Sequence, residues 1–247
     1  EPEEIIAAAD KLLSADSARP LQNRNVLVTA GPTFEPIDPV RFIGNRSSGK
    51  QGYAIAIAAA KLGARVTLIA GPSGLPDPPG IAVSHVRTAR EMLNAVEAAL
   101  PVDIAIFAAA VSDWRPASVQ PGKIKKGGAA PQIKLIENPD ILKTIAKRSD
   151  NRPALVIGFA AETENVIENA TEKLSRKGCD WIVANNVSPA SGVFGGERNK
   201  VHIVTHSGVE SWPAMSKDEV ARQLLLAAAA WLDQKSISAQ PKLRALL

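Results

Sequence analysis

The stretch N-V-L-V-T-A-G-P-T, residues 25–33, decides the fold: an apolar, β-branched run ends at a single glycine followed by proline. A run this apolar suits a strand covered on both faces. A nicotinamide enzyme places G-x-G-x-x-G at such a strand end so that a pyrophosphate can approach the backbone. One glycine followed by Pro32 does not meet that need. Further on, G-N-R-S-S-G-K-Q, residues 44–51, falls one residue short of the phosphate loop G-x-x-x-x-G-K-[ST], because Gln51 stands where the magnesium-holding hydroxyl belongs. Pro36 and Pro39 also interrupt any ladder that would feed a strand directly into that loop.

Working outward, similar apolar runs recur at 65–70, 82–86, 103–108, 154–159 and 181–184. Between them, the alanine- and leucine-rich segments 52–62, 89–100, 141–148 and 166–177 are long enough for helices. This alternation predicts an α/β fold, Rossmann-like and doubly wound around a largely parallel sheet. A run at 200–205, a turn at Ser207-Gly208 and a second run at 209–212 predict a late antiparallel hairpin, and 217–233 a closing helix. Residues 1–24, with a short helix at 2–13, read as helix and linker from an upstream domain; 25–233 form the main domain and 234–247 a C-terminal tail. In such sheets ligands bind beyond the carboxyl ends of the strands.

Composition narrows the function classes. A hydrophobic content of 45% in 247 residues supports an ordinary globular core. The net charge of +4, from Lys+Arg 29 against Asp+Glu 25, is too thin and scattered for a nucleic-acid face, and suits small anionic ligands. Cys179 is the only cysteine, which fits a cytoplasmic setting and plain packing. His85, His202 and His206 form no zinc-like array, the last two being read on one face of a strand. The longest apolar run, 224–232, is about half of the ~20 residues a membrane span needs, so no membrane role is expected. The acidic N-terminus is no signal peptide.

The chemically suggestive stretches fall at strand ends. Ser47-Ser-Gly-Lys50 opens a helix, where free amides favour an anion; a serine cap with a snorkelling lysine is the plainer reading. Asn45 can donate to a carbonyl or phosphoryl oxygen while accepting from an amine, or simply occupy a turn. A-A-A-V-S-D-W, 108–114, offers small residues on which a ring can lie, then the Asp113 carboxylate to read a base edge. Residues 116–131, holding Lys123, Lys125 and Lys126 beside a glycine pair, look like a mobile flap that either is merely solvated or brings ammonium groups onto a leaving pyrophosphate. Asp140 reads as a helix cap after Glu137-Asn-Pro, and Lys173 and Lys177 share a helix face.

Together, T-A-G-P-T-x-E-x-I-D-P-V-R-F-I-x-N-x-S-S-G-K, A-A-V-S-D-W, K-I-K-K, N-P-D-I, G-F-A-A-E-T and A-N-N-V resemble, in order, the phosphopantothenoylcysteine synthetase family over residues 25–232. The resemblance implies a CTP-dependent ligase of coenzyme A synthesis. The carboxylate of 4'-phosphopantothenate would attack the α-phosphate of CTP, and cysteine's amine would then displace CMP from the acyl-cytidylate. It implies Asn45 as stabiliser of that intermediate and Lys123 as the flap lysine. Asp113, the backbone at Ala109 and Ala110, and Phe159 would recognise cytidine, while Lys173 and Lys177 would contact the triphosphate. Ser47, Gly49 and Lys50 are placed at a phosphate, either of CTP or of the pantothenate substrate, and Arg41 at an anionic substrate group, either within the subunit or across a dimer interface. Further implications are a homodimer, Mg²⁺ carried mainly by the triphosphate and water, and FMN only in a fused decarboxylase domain. The residues alone support an α/β nucleotide or phosphate binder; a nicotinamide reductase and a catalytically silent binding module are its rivals.

Overall fold

An eight-stranded sheet organises the chain in a computed structural model that describes residues 19–127, 131–188 and 196–239. The helix expected at 2–13, residues 128–130 near the end of the flap and the tail beyond 239 lie outside the described residues. In chain order the elements are β1 (Asn25–Ala30), β2 (Phe34–Pro36), β3 (Phe42–Gly44), α1 (Lys50–Lys61), β4 (Arg65–Ala70), β5 (Ala82–His85), α2 (Ala89–Ala98), β6 (Ile104–Phe107), β7 (Trp114–Pro116) and β8 (Leu135–Glu137). Then come α3 (Ile141–Ala146), β9 (Leu155–Glu162), α4 (Val166–Lys177), β10 (Trp181–Asn186), β11 (Arg198–Asn199), β12 (Val201–Thr205), β13 (Gly208–Ser211), β14 (Met215–Ser216) and α5 (Lys217–Ala239).

The sheet runs β13-β12-β10-β9-β6-β1-β4-β5, with every pairing from β10 to β5 parallel and the β12–β13 hairpin antiparallel. The order reverses direction between β1 and β6, the switch point of a Rossmann-like, doubly wound fold. Side chains alternate across the sheet, which explains the continuous apolar runs. Val26, Val28, Ile104, Ile106, Leu155, Ile157 and Val183 enter one core with α1 and α5. Leu27, Ala105, Phe107, Val156 and Ile182 enter the other with α2, α3 and α4. Each fully buried leucine or isoleucine contributes about 1.5–3 kcal/mol, so both layers are tied firmly to the sheet.

Several expectations are corrected. Leu21 is fully buried and its amide donates to Leu62 O (3.0 Å), so the folded unit begins before residue 25. Helix α5 continues past 233 to Ala239, carrying it beyond the expected domain boundary. His206 lies in the turn between β12 and β13, not within a strand, because Ser207 and Gly208 reverse the chain there. The proline-containing segment after β1 is a small ribbon: β2 pairs antiparallel with β3, and Pro36 sits at its end opposite Phe42. A second ribbon, β7 with β8, carries the base of the flap and packs beside β2.

Candidate functional site

The loops leaving β1 and β6 are zipped together at the switch point. Ala110 N donates to Gly31 O (2.9 Å), Thr33 N to Ala110 O (3.3 Å), Ala109 N to Thr29 Oγ1 (3.3 Å) and Ser112 N to Thr33 Oγ1 (3.0 Å). The small residues at 108–110 therefore form a fixed floor whose amides at Ala109 and Ala110 are already used within the protein. Close backbone approach makes this possible: a Cβ on Gly71 would lie 1.8 Å from Pro32 O.

Two connected chambers open above that floor. The first, of about 420 Å³, is lined by Ala109, Asp113, Asn138, Asp140, Phe159, Lys173, Arg176 and Lys177, among others. The second, of about 560 Å³, includes Asn45, the first turn of α1, Ala109, Ala110, Asp113, Phe159, Lys173, Asn185, Asn199 and Lys217. Phe159, Asp113, Ala109 and Lys173 border both. Nearly all the residues anticipated from the sequence thus meet in one cleft at the carboxyl ends of β1, β6, β9 and β10.

One side of the cleft is built from α3 and α4. Gly158 lets α3 press onto β9, since a Cβ there would meet Leu142 Cδ2 at 2.5 Å. Asp140 caps α3 by accepting from Lys143 N (3.1 Å), as its sequence position predicts, and also accepts from Lys177 Nζ. Burial pushes the Asp140 carboxyl up, but the Lys177 hydrogen bond, the Lys143 amide and both lysine charges hold it below its ordinary value. Lys173 Nζ donates to Phe159 O (2.9 Å); burial, then the neighbouring Lys177 charge, lower its basicity, despite Glu162 and Asp140. Asn138 steadies the wall through Nδ2 to Ser112 O (2.8 Å).

On the opposite side, α1 starts at Lys50 with Gly49 as its N-cap, at φ 73°, where no serine side chain caps the helix. Instead, Ser47 Oγ accepts from Gly49 N (3.2 Å) and Ser48 Oγ from Lys50 N (3.5 Å). The plainer serine-cap reading is therefore corrected: a left-handed backbone turn that glycine tolerates forms the cap. Lys50 pairs with Glu197 at the rim. Gln51 donates from Nε2 to Lys217 O (3.1 Å) and accepts from Asn199 Nδ2 (3.4 Å), so the residue that spoils a phosphate-loop motif fastens α1 to α5 and β11. Asn45 is exposed at the cleft and donates from Nδ2 to Val111 O (3.0 Å).

Two anticipated residues lie elsewhere. Arg41 pairs with Asp38 (3.4 Å) and donates to Ile124 O (3.2 Å), pinning the start of the flap. Lys123 is exposed and faces a neighbouring hollow with Ile37, Gln120 and Ile133, outside the cleft. Sequence reasoning missed Asn138 as a wall residue, although it lies in the N-P-D-I block, and it missed Asn199 and Lys217, which no local pattern distinguishes. Cys179 is buried, and that burial pushes its thiol up to about 11, so it is packing and not a nucleophile.

Comparison with known proteins agrees with this picture. Residues 21–231 match the model of the DNA/pantothenate metabolism flavoprotein C-terminal domain. The chain belongs to this family. It is 48% identical to the coenzyme A biosynthesis bifunctional protein CoaBC of Escherichia coli K12 over 210 residues, 83% of this chain and 51% of that protein. The CoaBC of Haemophilus influenzae is 46% identical over 226 residues, 91% of this chain and 56% of that protein. The chain thus spans about half the length of these relatives. A crystal structure of a CoaBC C-terminal domain superposes with a TM-score of 0.75 at 42% identity, covering 88% of this chain and 100% of that one. The DNA/pantothenate metabolism flavoprotein of Streptococcus pneumoniae shares the fold at 22% identity, with a TM-score of 0.71 over 84% of this chain and 99% of that one. The family resemblance carried by the sequence motifs therefore holds. Among the described residues, no helix is long and apolar enough to cross a membrane.

Proposed function

We propose that this chain is a phosphopantothenate-cysteine ligase that uses CTP, acting in the cytoplasm in coenzyme A biosynthesis. The observation that carries the reading is the meeting of two chambers at Phe159, Asp113 and Lys173, each with a cationic wall, in a member of a family whose relatives are named for coenzyme A biosynthesis. Two anionic substrates can enter from opposite sides and react where the chambers join.

In the first step a carboxylate oxygen of 4'-phosphopantothenate attacks the α-phosphorus of CTP, and the bond to the departing pyrophosphate breaks. In the second, the amine of cysteine attacks the acyl carbon, loses a proton, and CMP leaves. The protein's part is to place and neutralise charge. Asp113 and Asn138 offer an acceptor and an amide to the cytosine edge, Phe159 and the 108–110 floor flank the ring, and Lys173 and Lys177 face the triphosphate. Asn45, held through its Nδ2, turns its carbonyl oxygen toward the incoming amine. Lys123 would reach the phosphates only when the flap folds over. Mg²⁺ would enter with the triphosphate and its waters, as hard ions that dehydrate reluctantly do.

Pairing of two such chains is part of the proposal. Val40, Phe42, Trp114, Val119 and Leu135 are all exposed on the two ribbons and the flap base, and such a patch suits a second copy. Arg41 and the flap would then lie beside the partner.

The test is to incubate the chain with 4'-phosphopantothenate, cysteine and each nucleoside triphosphate in turn. CMP and the amide, found by mass only with CTP, support the reading; no amide with any of them overturns it. Sedimentation that finds monomers at micromolar concentration would remove the dimer.

A further inference from the structure

On the ligase reading the amino acid reaches the cleft last. An acyl-cytidylate would by then occupy the junction and the space on either side of it, so the amine has to enter through the open mouth of the second chamber. Two consecutive residues meet it there: Asn45 and Arg46 are both exposed and both line that chamber. Asn45 keeps its Oδ1 available, because its Nδ2 is engaged by Val111 O (3.0 Å). The Arg46 guanidinium makes no hydrogen bond or ion pair with any described residue. The other cations of the chamber are differently placed. Lys50 is engaged by Glu197, Lys173 is held on Phe159 O (2.9 Å), and Lys217, only 8% exposed, is too buried to meet an entering solute first.

We propose that Arg46 holds the α-carboxylate of cysteine while Asn45 Oδ1 accepts from the amine on the same carbon. This rests on the ligase reading and deepens it by assigning the amino-acid subsite. An α-amino acid carries its two charged groups on one carbon, so its binding groups must also lie side by side. Neighbouring residues meet that need, since their Cα atoms are about 3.8 Å apart. Guanidinium suits the carboxylate because its planar fork can donate two parallel hydrogen bonds, where an ammonium offers a point charge. The clamp would draw the anionic amino acid into the mouth and fix the direction from which its nitrogen approaches the acyl carbon. It would also select: an amine without a carboxylate leaves Arg46 unpaired. The ordered block N-x-S-S-G-K leaves position 46 open, so this clamp is a property of this chain and not of the block.

The experiment compares cysteine with cysteamine, which keeps the thiol and the amine and lacks the carboxylate, as the amine for amide formation by the wild type, Arg46→Ala and Arg46→Lys. A single turnover of pyrophosphate release, before any amine is added, reads the first step separately. The wild type should prefer cysteine. Arg46→Ala should raise KM for cysteine about 10-fold, the scale of a charge-assisted hydrogen bond, and erase most of that preference, while KM for CTP and the first step change by less than about two-fold. Arg46→Lys, which keeps the charge without the fork, should fall between. The subsite is wrong if the wild type uses both amines equally, if Arg46→Ala slows both alike, or if it raises KM for CTP or for the acid instead. Amides formed with an unchanged preference sink the subsite alone. No amide from the wild type with either amine removes the ligase reading, and the subsite with it.

Discussion

Lys177, in the last turn of α4, donates to the Asp140 carboxylate that caps α3, so one contact ties together the two helices framing the first chamber. Asp140 is held ionised, with burial opposed by the Lys177 hydrogen bond and the Lys143 amide. A carboxyl whose folded value is depressed contributes stability above its unfolded value, and that contribution fades as pH falls through the folded value. The melting temperature of the wild type should therefore exceed that of Asp140→Asn at pH 6 and converge on it below about pH 4, where aspartate protonates. Scanning calorimetry at several pH values checks this; a gap that stays constant would mean the pair is not ionic.

Lys173 links the chambers while bonded to Phe159 O, and its burial beside Lys177 holds its basicity down. Lys173→Met should raise KM for CTP at least ~10-fold, the loss expected for a charged hydrogen bond. In the wild type, CTP binding should weaken as pH rises through the depressed lysine value, because the cation is lost there. Lys173→Arg, which stays charged, should remove that alkaline limb. A limb persisting in Lys173→Arg would place the titration on Lys177 or another nearby group.

Much of this was legible in the sequence, for physical reasons that differ by region. The parallel strands are covered on both faces, so they read as unbroken apolar runs, and the site lies where those runs meet loops. Asp140 was readable as a cap because capping is local. The ribbons β2–β3 and β7–β8 were not, because three-residue strands with exposed faces leave no periodic signal. Lys217 escaped notice for the opposite reason. Its position looks like any helix start, and only the packing of α5 on α1 buries it. Arg41 looked like a ligand contact, and its tie to Asp38 depends on a turn that only the folded ribbon forms.

Asn45 lies at the mouth of the second chamber with its Nδ2 on Val111 O. Asn45→Asp removes that donor and, on the proposed ligase reading, puts a negative charge beside the acyl-cytidylate. Turnover should fall ~100-fold or more, comparable to losing an oxyanion donor. Melting should change little, because the residue is exposed. Single-turnover kinetics should show slowed amide formation with CTP affinity retained. Near-normal turnover would leave Asn45 as a turn residue.

The flap is anchored by one buried carboxylate. Asp38 accepts from Val40 N (2.8 Å), Arg41 N (2.8 Å) and Ile124 N (3.1 Å), while Gln120 N donates to Ile37 O (2.9 Å). Burial raises the Asp38 carboxyl, but the three amides and the Arg41 charge outweigh it and hold it low. Asp38→Ala releases Ile124 and leaves Arg41 without its partner, so the stretch carrying Lys123 loses its fixed point. Hydrogen exchange at Ile124 should accelerate about 10-fold, on the scale of one charge-assisted hydrogen bond. Protection in the β1, β6 and β9 core should stay unchanged, since Asp38 touches none of those strands. If Lys123 acts on the phosphates from a closed flap, the same variant should lower kcat more than it raises KM for CTP. Exchange that accelerates throughout the sheet would instead make Asp38 a keystone of the whole fold and leave the flap without a dedicated anchor.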